Sequence, residues 1–180
     1  MIARVIIEIK PSKVLHGEVG LFAVRNLQSA TLIAAAEDID EVFTPTSEAQ
    51  KADRKTREKI IAHCTGLKNG FLLPRNKNLN LLPIHWYMNH SCEPNVGFDE
   101  DDNFVCLRRV RAGEELVFDY GTLHENPRWR LECKCGSSHC RKIVTGNDWK
   151  LPEVQKRYAG HFASHLQKKI SALRRRVASA

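Results

Sequence analysis

Residues 89–95 read Asn-His-Ser-Cys-Glu-Pro-Asn. Polar side chains, one thiol and one proline make a poor interior for a helix or a strand. The residue before proline is pushed out of the helical region, so Cys-Glu-Pro favours an extended or turning chain. An apolar approach precedes it, Leu81-Leu82-Pro83-Ile84-His85-Trp86-Tyr87-Met88. A polar elbow fed from an apolar segment is how a rigid core presents a site. Taken alone it reads equally well as a loop between two strands. Two further stretches decide the matter. Residues 114–121 are Glu-Glu-Leu-Val-Phe-Asp-Tyr-Gly, and residues 133–140 are Cys-Lys-Cys-Gly-Ser-Ser-His-Cys.

The three stretches, in this order, resemble those of the SET-domain protein methyltransferases that carry a post-SET zinc segment. The pattern there is Asn-His-Ser-Cys-x-Pro-Asn, Glu-Leu-x-x-Asp-Tyr and Cys-x-Cys-x4-Cys. The resemblance covers roughly residues 3–149. It implies a mostly β, SET-domain fold of several small curved sheets, with a knot-like threaded C-terminal segment, a helical insert and a C-terminal α-helix. The SET domain is expected over residues 1–125, with its insert at about 46–64. The post-SET zinc segment follows over 126–149, and a basic amphipathic helix over 150–180.

The resemblance also implies a chemistry: transfer of a methyl group from S-adenosylmethionine to a lysine of a protein, a histone or another. Tyr120 is then the catalytic hydroxyl against the transferring methyl. Asn89 and His90 hold the polar atoms of the donor, and Glu18, Val19 and Gly20 touch it through a glycine turn. The glycine spacing is looser than is usual in the family. An arginine commonly stands three residues before the asparagine, where this chain has Trp86. Phe118 lines the substrate channel, and a phenylalanine there leaves room for two or three methyl groups. Trp149 either covers the adenine of the donor or is a packing residue at the start of the tail. Cys133, Cys135 and Cys140 supply three thiolates to a structural zinc ion, which takes four ligands tetrahedrally. The family assigns the fourth to Cys92; His139, Cys64 and Cys106 compete on proximity or supply.

Such a transfer needs no strong base. A free lysine has a pKa of about 10.4. A desolvated channel and a nearby sulfonium both disfavour its ammonium. The competing readings are a catalytically silent SET-fold module, binding protein or nucleic acid through its basic tail, and a plain zinc-binding structural module.

The bulk numbers agree with one compact domain of 180 residues, 42% of them hydrophobic. No apolar run is long enough to span a membrane, and the N-terminal residues lack a signal-peptide pattern. Cysteines crowded at 133–140 without an export signal favour a metal and a reducing compartment. An intracellular protein is therefore expected, in the cytoplasm of a bacterium or in a nucleus.

From Lys150 onward there are eight Lys or Arg and one acid, Glu153, which accounts for the whole net charge of +7. The basic character belongs to the tail and says nothing about the body.

Along the chain, strands are expected at 3–9, after the turn of Gly17 and Gly20, at 31–35, at 71–73, at 79–82 and at 115–120. A hairpin is expected at 96–107 around Asp99–Asn103. Thr46 or Ser47 should cap one helix reaching about Cys64. In the tail, Val154, Tyr158, Phe162, Leu166, Ile170, Leu173 and Val177 fall on one helical stripe, interrupted by Gly160. That stripe packs on the body or on a second copy as a homodimer. The sharper alternative is a basic helix docking on an acidic partner, nucleic acid or a membrane.

Overall fold

The structure, a computed structural model, describes residues 6–80 and 83–178. Twelve strands run in chain order: β1 Ile7–Pro11, β2 Val19–Ala23, β3 Leu32–Ala34, β4 Glu41–Pro45, β5 Thr65–Leu67, β6 Gly70–Pro74, β7 Asn89–His90, β8 Val96–Phe98, β9 Phe104–Cys106, β10 Glu115–Phe118, β11 Arg130–Glu132 and β12 Ile143–Thr145. The helices are α1 Thr46–Ala49, α2 Arg54–His63, α3 Pro152–Arg157 and α4 Ser164–Ala178. The strands form three sheets. The largest runs β1-β2-β10-β8-β9-β3, with β7 paired to β10; the others are β4-β6-β5 and β11-β12.

Strand β10 is the hinge of the fold. It pairs antiparallel with β2 on one side and parallel with the short β7 and β8 on the other. The register sets Val117 against Asn89 and Phe118 against His90. The polar elbow therefore lies beside the Glu-Leu-Val-Phe-Asp-Tyr strand. Asn95 seals the join: its Oδ1 accepts from Val117 N at 2.9 Å and its Nδ2 donates to Glu115 O at 2.8 Å. Buried at 1% exposure, this amide does the work of one more residue of strand. Below lies an apolar core that includes Leu21, Met88, Val96, Phe98, Phe104, Leu116 and Phe118. Phe98 and Phe104 meet tilted at 4.5 Å, and Phe118 meets Phe104 edge-on at 5.3 Å.

The insert is two helices where one was expected. Asp53 interrupts it and caps α2, accepting from Thr56 N at 3.1 Å. Aspartate is a poor helix-interior residue and a good N-cap, because its carboxylate serves the orphan amides of the first turn. Pro45, not Thr46 or Ser47, holds the cap position of α1. The first strand begins at Ile7; Ala3–Val5, assigned to it from sequence, lie outside the described residues, as do Leu81 and Leu82.

The tail is likewise two helices. Gly160 breaks it at φ +84°, a conformation glycine adopts without strain. Asp102, from the β8–β9 turn, accepts from Ser164 N at 2.6 Å and caps α4. The apolar stripe holds across the break as far as Ile170; Leu173, expected on it, is 41% exposed, and the side chain of Val177 lies outside what the structure describes. Val154, Tyr158, Phe162, Leu166 and Ile170 pack with Trp149 as a second core against the body. Tyr158 Oη donates to Cys92 O at 2.8 Å and ties that core to the central elbow.

Candidate active site and metal centre

Tyr120 stands two residues past the end of β10. Its hydroxyl donates to Met88 O at 2.9 Å, which fixes the ring across the end of the apolar approach segment. Burial pushes its pKa well above the ordinary tyrosine value, so the phenol stays neutral. The ring lines a narrow cavity of about 70 Å³ together with Phe118, Trp86, His124 and Trp129. Phe118 and Tyr120 lie 4.8 Å apart, centroid to centroid. The ring of His124 stacks on Trp129 at 4.0 Å and 8°. The wall is thus mostly aromatic, and among the described residues no Asp, Glu, Lys or Arg lines it. Sequence reading passed over His124 and Trp129, which sit in a loop of no evident pattern.

His90 is buried, and its ring joins two other parts of the site. Nδ1 accepts from Tyr120 N at 3.1 Å, which places the ring proton on Nε2, 3.4 Å from Cys92 Sγ. Burial pushes its pKa down to about 4, so the ring is neutral. Whatever the residue contributes to a ligand comes from its backbone.

Asn89 is similarly committed. Its Nδ2 lies within bonding distance of Val19 O (2.9 Å), Glu115 Oε1 (3.0 Å) and Ser12 Oγ (3.2 Å). Both amide hydrogens are taken, so only Oδ1 remains for a ligand. The structure brings Val19, Gly20 and Asn89 to one corner, with Glu18 next along the chain. Gly20 is needed there for a reason of its own: a Cβ would stand 2.2 Å from Glu115 Oε1 and 3.1 Å from Asn89 Nδ2. Glu115, 6% exposed, accepts four hydrogen bonds, from Asn89, Ser12 Oγ, Lys13 N and Val14 N.

Trp86 does not face that corner. Its Nε1 donates to Glu41 Oε1 at 2.6 Å, and its ring lines the narrow cavity. Trp149, 7% exposed, lies within the tail core, with the Lys150 ammonium 5.3 Å from its ring centroid.

The sulfur atoms of Cys92, Cys133, Cys135 and Cys140 all lie within 4.8 Å of one another. Cys92 and Cys133 are 3.8 Å apart, which is the edge of a tetrahedron with metal–sulfur bonds of about 2.3 Å. Arg141 N and the His90 ring each approach Cys92 Sγ at 3.4 Å, the pattern of donors that supports a metal-bound thiolate. The other candidates lie elsewhere. His139 bonds Ser138 at the surface, Cys64 sits in the core beneath α2, and Cys106 sits in the main core. The four-thiolate set fits zinc.

Arg141 joins the thiol cluster to the active site. Its guanidinium bonds both oxygens of Asp119, at 2.6 and 2.7 Å, and Nε pairs with Asp148 Oδ2 at 2.7 Å. The Asp119 side chain is fully buried. Asp119 Oδ1 also accepts from Gly121 N at 2.8 Å. This cation, next after Cys140, thus connects the residue before Tyr120 to Asp148, just ahead of the tail.

Residues 18–121 match the SET domain family. The chain belongs to that family. Human histone-lysine N-methyltransferase 2D is 41% identical over 136 residues, 68% of this chain and 2% of the relative. Histone-lysine N-methyltransferase trr of Drosophila melanogaster is 30% identical over 134 residues, 68% of this chain and 5% of the relative. Su(var)3-9, a histone-lysine N-methyltransferase of the same fly, is 38% identical over 80 residues, 34% of this chain and 13% of the relative. The chain therefore spans only a small part of each relative. The elbow, β10 and Tyr120 fall inside the matched residues; His124 and Trp129 of the cavity wall, three of the four clustered thiols and Arg141 lie beyond them.

The buried histidines make the SET domain acid-sensitive. Burial holds His90 at about 4 and His124 at about 3. Their folded pKa values lie below the unfolded one, about 6.5. The unfolded chain thus binds more protons, so stability is complete above pH 6.5 and falls as the pH drops toward 4. His90 alone contributes about 3 kcal/mol to that loss, since burial lowers its pKa from about 6.5 to about 4. Urea midpoints at pH 7.5, 6.0 and 5.0 should fall in that order. Hydrogen bonds from Arg108 and Lys169 lower the pKa values of Glu114 and Glu125, so these carboxylates add to the loss in the same direction at the acid end. A constant midpoint would contradict the burial of the two rings.

Proposed function

We propose that this SET domain transfers methyl groups from S-adenosylmethionine to lysine side chains of a protein, with histones as the first substrates to test. The observation that carries the proposal is the Tyr120 hydroxyl, anchored on Met88 O at the end of a narrow aromatic cavity. The relatives' names supply the chemistry. The neutral lysine nitrogen attacks the methyl carbon in line as the carbon–sulfur bond breaks, and the amine proton leaves to water. The donor supplies the electrophilic carbon. The chain aligns the two reactants, excludes bulk water and offers no carboxylate dyad. Tyr120 and Met88 O present oxygen to the reacting centre, and the aromatic wall disfavours an ammonium before transfer. Zinc, held by Cys92, Cys133, Cys135 and Cys140, would clamp the C-terminal segment onto the elbow.

The direct test is incubation with isotopically labelled donor, core histones and a fractionated proteome. Transfer to lysine is expected. Tyr120→Phe should lower it at least about 100-fold, about 2.7 kcal/mol, with donor affinity changed less than about threefold. Donor binding without transfer to any protein would favour the silent binding module. Product state follows from Phe118. A cavity of about 70 Å³ lined by phenylalanine admits a methylated amine, so di- and trimethyl-lysine should accumulate. Phe118→Tyr should shift the product to monomethyl-lysine by mass spectrometry, and unchanged products would remove the role given to this side chain.

A further inference from the structure

A second cavity, of about 280 Å³, opens beside the narrow one. The two share Thr65, His85, Phe104 and Leu123 as common walls. The methyl-transfer proposal makes no use of it. Among the described residues two carboxylates line it, Glu41 and Asp102, and no lysine or arginine does, although the chain has 28 of them. Glu41 has a side chain only 7% exposed. It is held by the ring N–H groups of Trp86 (2.6 Å) and His85 (3.2 Å), both on Oε1. Among the described residues no donor bonds its Oε2. Asp102 uses Oδ1 to cap α4. His165, whose Nε2 meets Leu123 O at 3.1 Å, adds no positive charge at neutral pH, since burial lowers its pKa.

A buried carboxylate is costly unless a cation or several donors compensate it. Glu41 has ring donors, no lysine or arginine pairs with it among the described residues, and it faces a cavity next to the one where a lysine is to react. Ile39 and Leu72 supply an aliphatic wall for a long stem, and Phe98 and Phe104 supply ring faces. The geometry points to a binding site for a second basic side chain of the protein substrate, a lysine or arginine about two residues from the one that is methylated. In an extended peptide the side chains of residues i and i+2 lie on one face, roughly 7 Å apart, which suits adjacent cavities with shared walls. Ala163 and His165 make the tail a wall of this site, so the tail takes part in choosing the substrate. The inference rests on the lysine-methylation reading.

The test uses the full chain and synthetic peptides, each with one target lysine. The residues up to two positions on either side are set in turn to arginine, lysine, norleucine or glutamate. Peptide binding without donor is read by fluorescence anisotropy, and methyl transfer is read separately by mass spectrometry. At one position arginine or lysine should bind at least about tenfold tighter than norleucine, with glutamate weakest. Glu41→Gln should compress that ratio to less than about twofold. Peptides bound with no charge preference at any position, or bound by none, overturn the site. So does a preference that Glu41→Gln leaves intact. Charge-dependent binding without transfer would sink the methylation reading and leave the binding site standing.

Discussion

Replacing Arg141 by methionine is expected to cost about 3–5 kcal/mol of stability, the loss typical of removing one partner of a buried ion pair. The Asp119 side chain is fully buried, and Arg141 is the cation bonded to both of its oxygens. Methionine fills much of the space and leaves two carboxylates, those of Asp119 and Asp148, with no counter-charge. The contact to Asp148 is an ion pair of 2.7 Å and not an aligned hydrogen bond, so the larger share of the loss belongs to Asp119. Arg141→Lys keeps the charge but not the planar fork, and should fall between the two. Adding Asp119→Asn to Arg141→Met should restore part of the stability, because the stranded charge is then gone. Methyl transfer should stay more than about tenfold below wild type even so, a deficit of about 1.4 kcal/mol. The reason is position: Asp119 precedes Tyr120 and holds Gly121 N, while Tyr120 N is held by His90. Denaturant titrations with zinc present, and single-turnover rates on the folded fraction, check both parts. A stability loss of less than about 1 kcal/mol would place the pair in the class of exposed ion pairs and remove the coupling.

Arg141 also shows where reading the sequence runs out. In Cys140-Arg141-Lys142 it looks like any surface cation, and only the fold shows that its neighbour Lys142 turns at positive φ while the guanidinium points inward. The elbow at 89–95 and the strand at 115–118 were legible because their requirements are local: a proline-biased turn, and apolar residues that bury on both faces. Their pairing could be anticipated from the family resemblance but not from periodicity, since β10 meets β7 and β8 in parallel without a regular crossover helix. Of the two helix breaks, the one at Gly160 was marked in the sequence, since glycine weakens a helix interior. Asp53 is a good N-cap, yet propensity summed over the residues on either side of it outweighed it in the expectation. His124, Trp129 and Glu41 had no local signal at all. Each gains meaning from a partner far away in the chain: Gly66 for His124, Tyr120 for Trp129, and His85 and Trp86 for Glu41.

Stripping the protein of metal is expected to lower its melting temperature by about 10–15 °C, equivalent to roughly 3–5 kcal/mol in a chain of this size. Purified protein should carry one zinc ion per chain. Four sulfur atoms within 4.8 Å make a poor cluster of free thiols and a good set of thiolates. Burial raises the Cys92 thiol to about 11, so at neutral pH the metal must displace its proton. Part of the binding free energy is spent there, and zinc affinity should fall steeply as the pH is lowered. Cys92 lies in the elbow, while the other three thiols follow β11. Metal binding therefore closes the segment 133–140 onto the residues that hold Tyr120 through His90. Cys92→Ser should reduce zinc to well below one per chain and weaken donor binding, whereas Cys106→Ser, in a different core, should leave zinc intact despite some loss of packing. Zinc content, melting curves with and without chelator, and donor titration separate the outcomes. If the chelated protein melts where the zinc-loaded protein does, the sulfur cluster is not holding the elbow and the tail together, and the route from metal to Tyr120 fails at its first link.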